Sequence, residues 1–561
     1  MPGTALHEGM KWEWETFEEY LDALSRKSYA CDVAAMIGHG PLRAWVLGEN
    51  ANVADTHQGH KEHAIPPDLI EKMATTVRNS VAAGAIGFST SRAIYHRDMA
   101  GVLMPGTLAS ATEMRALLMA ISEAGGGVFG ANMDFATYDD VPGGAFDPKL
   151  QEAHWDSEWG WIEDVARETS GRPDVPGAGK VAMTFEVTGV PGGMARMKKV
   201  EHLHNTHDTH IRTQVHVRPQ GFLQSVTSRM NLLLLSSTFR GLETRSSLPE
   251  DLARLLAQLR EPDRRATIID EMEMELSKIK AGDEPSIFAG LVSTLFPPSM
   301  IFRWDSGNEP PVEESLRDIA RAQGRSYMEV YYDWLVPESG DEPGVCWKPL
   351  QAYHEGDFEN LREIHEHPLT IPGVSDAGAH SSIFQDGMTP SHLLTHWARD
   401  RTRGPKLSVE HVIRRQCREV AQLFGLLDRG ELKVGLRADL NVINWDELTL
   451  HKPFIAHDLP TGAARWMQEV TGYKLTMVHG VVTYIDGMPT GALPGRLVRN
   501  PRADITKWQD NTHEQAWQGE ELPGAGDNYE DALAKAQGGG ASAIARIARE
   551  LEEERAQKSK L

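Results

Sequence analysis

The segment GVSDAGAH sets an aspartate, Asp376, between Gly373 and Gly378 at the end of an apolar run, with His380 four residues further on. Glycines on either side let the backbone turn sharply, so the carboxylate is expected at a strand end. There a lone aspartate, taken by itself, reads as a loop cap. His380 could orient a substrate or hydrogen-bond Asp376, and a histidine satisfied by backbone is the alternative. A second concentration of polar groups follows the run AIGFST: Ser89, Ser91, Arg92, His96 and Arg97. A guanidinium in such a loop could clamp a carboxylate in a bidentate pair, or the loop could be braced by its own hydrogen bonds. His39 and His216 each sit in an apolar, strand-like run. His39 reads as a core histidine, and His216 as a candidate metal ligand. The run EHLHNTHDTH spaces His204, His207 and His210 three apart, which could put them on one helical face. With no catalytic context beside it, that run reads as an exposed polar face with adventitious affinity for zinc.

These residues need elements to hold them. Short apolar runs (Val33 to Ile37, AIGFST, GVFGANM, VAMTFEV, TQVHV) alternate with helical patterns such as PPDLIEKMATTVRNSVAA, which ends at Gly84. This strand–helix alternation predicts parallel βαβ units and an α/β fold. The charged stretch from Leu248 to Ile279 predicts helix with a solvated face. TMVHGVVTYIDGMPTG predicts a hairpin, and IARIARELEEERAQKSK at the end predicts an amphipathic helix that could serve a homo-oligomer. The 80 acidic against 57 basic residues give a net charge of −23, which repels phosphate backbones and argues against nucleic-acid binding. Cys31, Cys346 and Cys417 are far apart, which argues against disulfides or a cysteine-rich zinc site. With no apolar stretch of membrane-spanning length and no signal pattern, a soluble cytoplasmic protein without membrane contact is expected.

The stretch REVAQLFGLLDRGELKVGLRADLNVIN, Arg418 to Asn444, resembles the junction between the last barrel helix of amidohydrolases and the C-terminal half of their β-sandwich. AGAIGFSTSRAIYHRDMAGVLMPGT (83–107), GVSDAGAHSSIFQDGMTPSHLLTHWARDRTRG (373–404) and GYKLTMVHGVVTYIDGMPTGALPGRLVRN (472–500) narrow the resemblance to the N-acyl-D-amino-acid deacylase (D-aminoacylase) branch. The resemblance implies a (β/α)8 TIM-like barrel missing its first strand or strands. It divides the chain into an incomplete barrel (1–425), a sandwich half (426–502) and a linker with a charged helical tail (503–561).

It further implies a metal-dependent hydrolase of non-peptide C–N bonds, in which one or two zinc ions activate water against an N-acyl amino acid. Asp376 is implied as catalytic acid/base and metal contact; His216, a metal candidate from its own setting with a core histidine as the alternative, is not among the residues the resemblance marks. Ser91, Arg92, His96, Arg97 and His380 are the expected substrate-binding residues. The sequence departs from the family in two ways, in the strands around Asn132 and Phe185 and in the missing His-x-His pair with the cysteine of the next strand. Phe185 and Glu186 stand where a metal-binding histidine is expected, and Asn132 stands where another histidine is usual. The His-x-His pair of the first barrel strand does not occur after Met1. The expectation is therefore a start placed too far downstream, or a gene split in two. Two other readings stay open: a catalytically inactive relative that binds a ligand or partner, and a cyclic amidase, for which no convincing strand-end lysine is found.

Overall fold

The computed structural model describes residues 3–52, 65–93, 96, 98, 102–133, 148–170, 180–186, 193–242, 248–281, 297–349, 353, 356–375 and 377–501. Its organising element is a parallel sheet. Strands β1 (Met36–Gly38), β2 (Gly87–Ser91), β3 (Gly127–Asn132) and β4 (Val181–Phe185) lie side by side in that order. Met36 pairs with Gly87, Gly87 with Val128, and Val128 with Ala182. Gly87 is required by the sheet itself, because a methyl group at its Cα would collide with the Val128 carbonyl. β4 is buried along its whole length, as expected for a parallel strand covered on both faces.

Single bridges, Met183 to Ile211 and Glu186 to Gln214, carry the parallel direction from β4 to β5 (Thr213–His216). Between β5 and its partner come β6 (Gly221–Gln224), β7 (Phe302–Arg303) and β8 (Cys346–Pro349). These form a separate antiparallel sheet of order β6-β8-β7. β5 then pairs in parallel with β9 (Thr370–Gly373), from Thr213–Thr370 to His216–Gly373. The chain is thus α/β with a parallel sheet, as expected. Among the described residues no ladder joins β9 back to β1.

The helices follow from their apolar spacing. In the helix Pro67–Ala82, Ile70, Met73, Ala74, Val77 and Val81 are buried at a period near 3.6. Proline opens this helix, and Gly84 with φ +118° follows its end. Helix Ala111–Glu123 starts at Ser110, whose side chain accepts from Glu113 N at 3.2 Å. Together these helices cover Phe88, Phe129 and Met183 in one core cluster. A second core lies under helices Pro249–Leu259, Pro262–Ala281 and Tyr327–Leu335, around Leu255, Ile268, Tyr331 and Leu335. No helix among the described residues is long and apolar enough to cross a membrane.

The C-terminal part is β-rich. β10 (Leu440–Ile443), β15 (Tyr473–Val478), β16 (Val481–Ile485) and β17 (Met488–Pro489) form an antiparallel sheet in that order. Between β10 and β15, β11 (Thr449–Leu450) pairs with β14 (Val470–Thr471), and β12 (Phe454–Ala456) with β13 (Arg465–Met467). The predicted hairpin is β15–β16. The predicted tail helix falls outside the described residues. Two differences from the sequence reading are local. The expected strand across 369–380 is only β9, because Val374 enters the left-handed region at φ +56°. The helix expected through 406–426 is Val409–Leu423, with a π-helical middle turn at Arg414–Glu419.

Beneath the start of the sheet, Glu113 is wholly buried and meets a guanidinium and an imidazole. Arg43 Nη1 donates to its Oε2 at 2.6 Å, and His39 Nε2 lies 2.8 Å from its Oε1. His39 Nδ1 is 2.8 Å from Thr90 Oγ1, so this imidazole is the core histidine that its apolar setting suggested. Burial pushes the Glu113 carboxyl upward, but the His39 and Arg43 contacts outweigh it and hold it below its usual value. Glu113→Ala leaves Arg43 buried without its carboxylate. Urea unfolding is expected to show a loss of about 3–5 kcal/mol, and a loss below about 1 kcal/mol would refute this account.

Candidate functional site

The C-terminal ends of the parallel strands gather several of the expected residues. Ser91 ends β2, and its Oγ lies 2.7 Å from His96 Nδ1. The His96 ring stacks on His380 with centroids 6.1 Å apart and planes at 28°. His380, exposed and held at φ +47°, meets Phe384 edge-on at 5.5 Å. Ser91, His96 and His380 therefore form one cluster, although 284 residues separate His96 from His380 in sequence. Asp376 and Arg97 lie outside the described residues.

Arg92 departs from its expected role as a carboxylate clamp. It is 2% exposed, and its Nε and Nη2 donate to the two oxygens of Glu158 at 2.5 and 2.8 Å. Its Nη1 donates to the Ala109 carbonyl at 2.9 Å. The bidentate fork is real, but its carboxylate belongs to the protein. Sequence alone cannot separate these cases, since a guanidinium suits either partner equally well.

His216 ends β5 and is fully buried. Its Nδ1 lies 3.4 Å from Oε1 of Glu186, the residue that follows β4. The sequence reading counted Phe185 and Glu186 together as a departure from the family. The structure divides them: Phe185 is wholly buried in the main core, while Glu186 brings a carboxylate to the histidine on the neighbouring strand. Arg196 is also close. Burial lowers its guanidinium to about 10, against the pull of the Glu186 charge. Gln214 and Gln220 fasten the start of the post-β9 loop, with Val374 N donating to Gln214 Oε1 at 3.3 Å and Gln220 Nε2 to the Val374 carbonyl at 3.2 Å. Asn132 ends β3, half-buried.

The run 201–210 behaves as a surface. Helix Gly193–His207 carries His204 and His207 in its last turn, and His204 Nδ1 lies 3.0 Å from the Thr209 carbonyl. Among the described residues no group of three or more His, Cys, Asp or Glu side chains is arranged to hold a metal ion.

Sequence reasoning missed several buried polar groups. Lys348, on β8, is 7% exposed, and burial lowers its ammonium to about 8. Its register partner is Phe222, which stacks on Phe384 at 5.1 Å. Lys348 lies one residue from the end of β8, in the antiparallel sheet. CWKP gave no signal because nothing in it marks the strand as covered on both sides. His365 Nε2 donates to the His216 carbonyl at 3.1 Å, and burial lowers the imidazole to about 3. His392 and His396 lie with ring centroids 5.0 Å apart, and Glu309 accepts from Arg401 beside His396.

Two measurements follow. Arg92→Met leaves Glu158 buried without its cation and is expected to cost about 3–5 kcal/mol in urea unfolding, whereas Ser91→Ala costs about 1 kcal/mol. Equal, small losses would restore Arg92 as a free ligand-binding group. Lys348 binds its proton less tightly folded than unfolded, so the unfolded chain holds more protons between pH 8 and the ordinary lysine value of 10.5. Stability therefore rises with pH across that window. The urea midpoint of the wild type should climb relative to that of Lys348→Met, and a parallel pH course for the two proteins would exclude the lowered lysine.

Residues 305–484 match the amidohydrolase family model. An uncharacterized protein of Mycobacterium tuberculosis is 32% identical over 138 residues, which is 24% of this chain and 21% of the relative. The D-aminoacylase of Alcaligenes xylosoxydans xylosoxydans is 31% identical over 132 residues, which is 24% of this chain and 23% of that enzyme. The aligned part is thus less than a quarter of these relatives' length. Among solved structures, a D-aminoacylase aligns over 86% of this chain and 75% of its own, at 18% identity and TM-score 0.47. The N-acyl-D-glutamate deacylase of Bordetella bronchiseptica, complexed with zinc and a phosphonate inhibitor, aligns over 89% and 79%, at 17% identity and TM-score 0.46. The segment 305–484 is thus similar to the amidohydrolase family, and about a quarter of the chain is similar to a D-aminoacylase.

Proposed function

We propose that the chain is a hydrolase of non-peptide C–N bonds that deacylates N-acyl amino acids at the C-terminal edge of its parallel sheet. The observation that carries this reading is the meeting of Glu186 and His216. A carboxylate and an imidazole from successive strands stand 3.4 Å apart, next to the strand that leads into Asp376. The finer reading of the fold is a TIM-like barrel, whose chemistry sits at this edge of the strands.

Glu186 and His216 are donors of the kind a divalent ion takes, and Asp376 would complete the three that a catalytic zinc needs. When bound, such an ion acidifies water and polarises the scissile carbonyl. The rest falls to the chain's own groups. Asp376 takes a proton from the attacking water and returns it to the leaving amine. The Val374 contacts to Gln214 and Gln220 fix the backbone just before it. Ser91, His96, His380 and Arg97 hold the amino-acid end of the substrate, Arg92 being committed to Glu158.

One observation favours a second reading, binding without hydrolysis: the Arg196 charge acts on Glu186 and competes with an ion for that carboxylate. Purified protein supplied with zinc, assayed for amine release from N-acetyl-D-amino acids and for retained metal, separates the two. Hydrolysis is expected, with Asp376→Asn and His216→Ala each lowering kcat/KM by about a hundredfold or more and leaving the circular dichroism spectrum unchanged. Neither metal nor amine release in the folded wild type would sink the hydrolase reading.

A further inference from the structure

Ser91 and His96 stand in a relation that holding a substrate does not require. Ser91 Oγ lies 2.7 Å from His96 Nδ1, the separation of a nucleophile from its base. With Nδ1 unprotonated, the hydroxyl donates to it, and the imidazole is placed to take that proton as the oxygen attacks. Both residues are half-buried, so neither is sealed in the core.

The supports on each side are firm. Ser91 is the last residue of β2, which runs between β1 and β3, and it pairs with Asn132. The next side chain, Arg92, is anchored to Glu158 and to the Ala109 carbonyl. His96 is held through its own backbone: its N–H donates to the Ala93 carbonyl at 3.1 Å, and its carbonyl accepts from Met104 N at 3.1 Å. The stacked His380 ring flanks the imidazole. A serine and a base fixed in this way are preorganised for attack.

One feature selects the substrate class. The amide next to the serine, Arg92 N, donates to the Asn132 carbonyl at 2.8 Å, so it is not available to hold an oxyanion. Acyl compounds with a good leaving group depend least on that help, which favours activated carboxylic esters over amides.

We propose that Ser91 is a nucleophile with His96 as its general base, and that the pair cleaves activated carboxylic esters. Ser91 Oγ bonds to the ester carbonyl carbon while its proton passes to His96 Nδ1. The bond from that carbon to the alcohol oxygen then breaks, and His96 returns the proton to the leaving oxygen. Water, deprotonated by His96, next attacks the acyl group on Ser91. The carboxylic acid leaves, and the proton goes back to the serine oxygen. This activity goes beyond the deacylase reading, and none of its steps uses Glu186, His216 or Asp376.

The test treats the full chain with EDTA, then with a fluorophosphonate, which phosphonylates activated serines by the same attack, and maps the adduct by peptide mass spectrometry. An adduct on Ser91 is expected, and it should form about a hundredfold more slowly in His96→Ala. Ser89, two residues back on the same face of β2 and also half-buried, should stay unmodified. Hydrolysis of 4-nitrophenyl acetate by the EDTA-treated protein should fall by a similar factor in Ser91→Ala and in His96→Ala, with circular dichroism showing that both are folded. A folded wild type without an adduct on Ser91, or labelling undiminished in folded His96→Ala, overturns the proposal and leaves the hydrogen bond as a brace of the loop. Zinc-dependent amine release from N-acetyl-D-amino acids is scored separately on the wild type. A Ser91 adduct without that release keeps the nucleophile and removes the deacylase, and release without the adduct does the reverse.

Discussion

The ladder between β5 and β9 is the joint on which the rest of the molecule depends. Its four residue pairs, from Thr213–Thr370 to His216–Gly373, connect the sheet built from the first 216 residues to the part that carries the family match. A parallel pairing fixes register, and a slip by one residue would turn every side chain to the other face. His216 therefore stands beside Gly373 and beside no other residue of β9. The loop that follows, stitched by Gln214 and Gln220, leaves the strand at a set height above the sheet. The placement of Asp376's neighbours inherits that height.

Charge is buried on both sides of this joint, and in four pairs it is compensated. Arg43 with Glu113, Arg92 with Glu158, Arg218 with Asp386 and Arg401 with Glu309 are all at most 6% exposed. Such pairs add little net stability, because desolvation consumes most of the attraction. They do make alternative packings expensive, since any arrangement that separates a pair strands a charge in the interior. Two of them border the strand ends. Arg92 follows β2 directly, and Arg218 lies two residues after β5. The polar edge of the sheet is in this way set on rigid supports.

How much could be read from the residues depended on range. β2, β4 and the helix Pro67–Ala82 were legible because burial on both faces or on one stripe is written into local apolar spacing. The grouping of Ser91 and His96 was legible as a polar loop after a strand. The fate of Arg92 was not, because its partner Glu158 lies 66 residues away on a helix whose pattern does not announce an inward carboxylate. Glu186 was read as a missing ligand, since a comparison by residue type sees only that histidine is absent. Its nearness to His216 is a property of two segments joined by isolated bridges, Met183 to Ile211 and Glu186 to Gln214. Lys348 was invisible for the same reason, as burial of a charged residue has no local signature.

Asp32 has a wider consequence. Its carboxylate receives Arg429 at 2.9 Å and the Arg496 amide at 3.0 Å, while Tyr29 and Val33 bridge to Gly495 and Leu497. This clasp ties together segments 464 residues apart, so nearly the whole described chain forms one closed loop. The entropy lost in closing a loop grows only with the logarithm of its length, but contacts of such separation form late in folding, after the local ones that bring them near. The clasp is accordingly a seal and not a nucleus. It is set once both halves of the described chain have found their strands, and it links the order of residues 495–498 to that of residues 29–33.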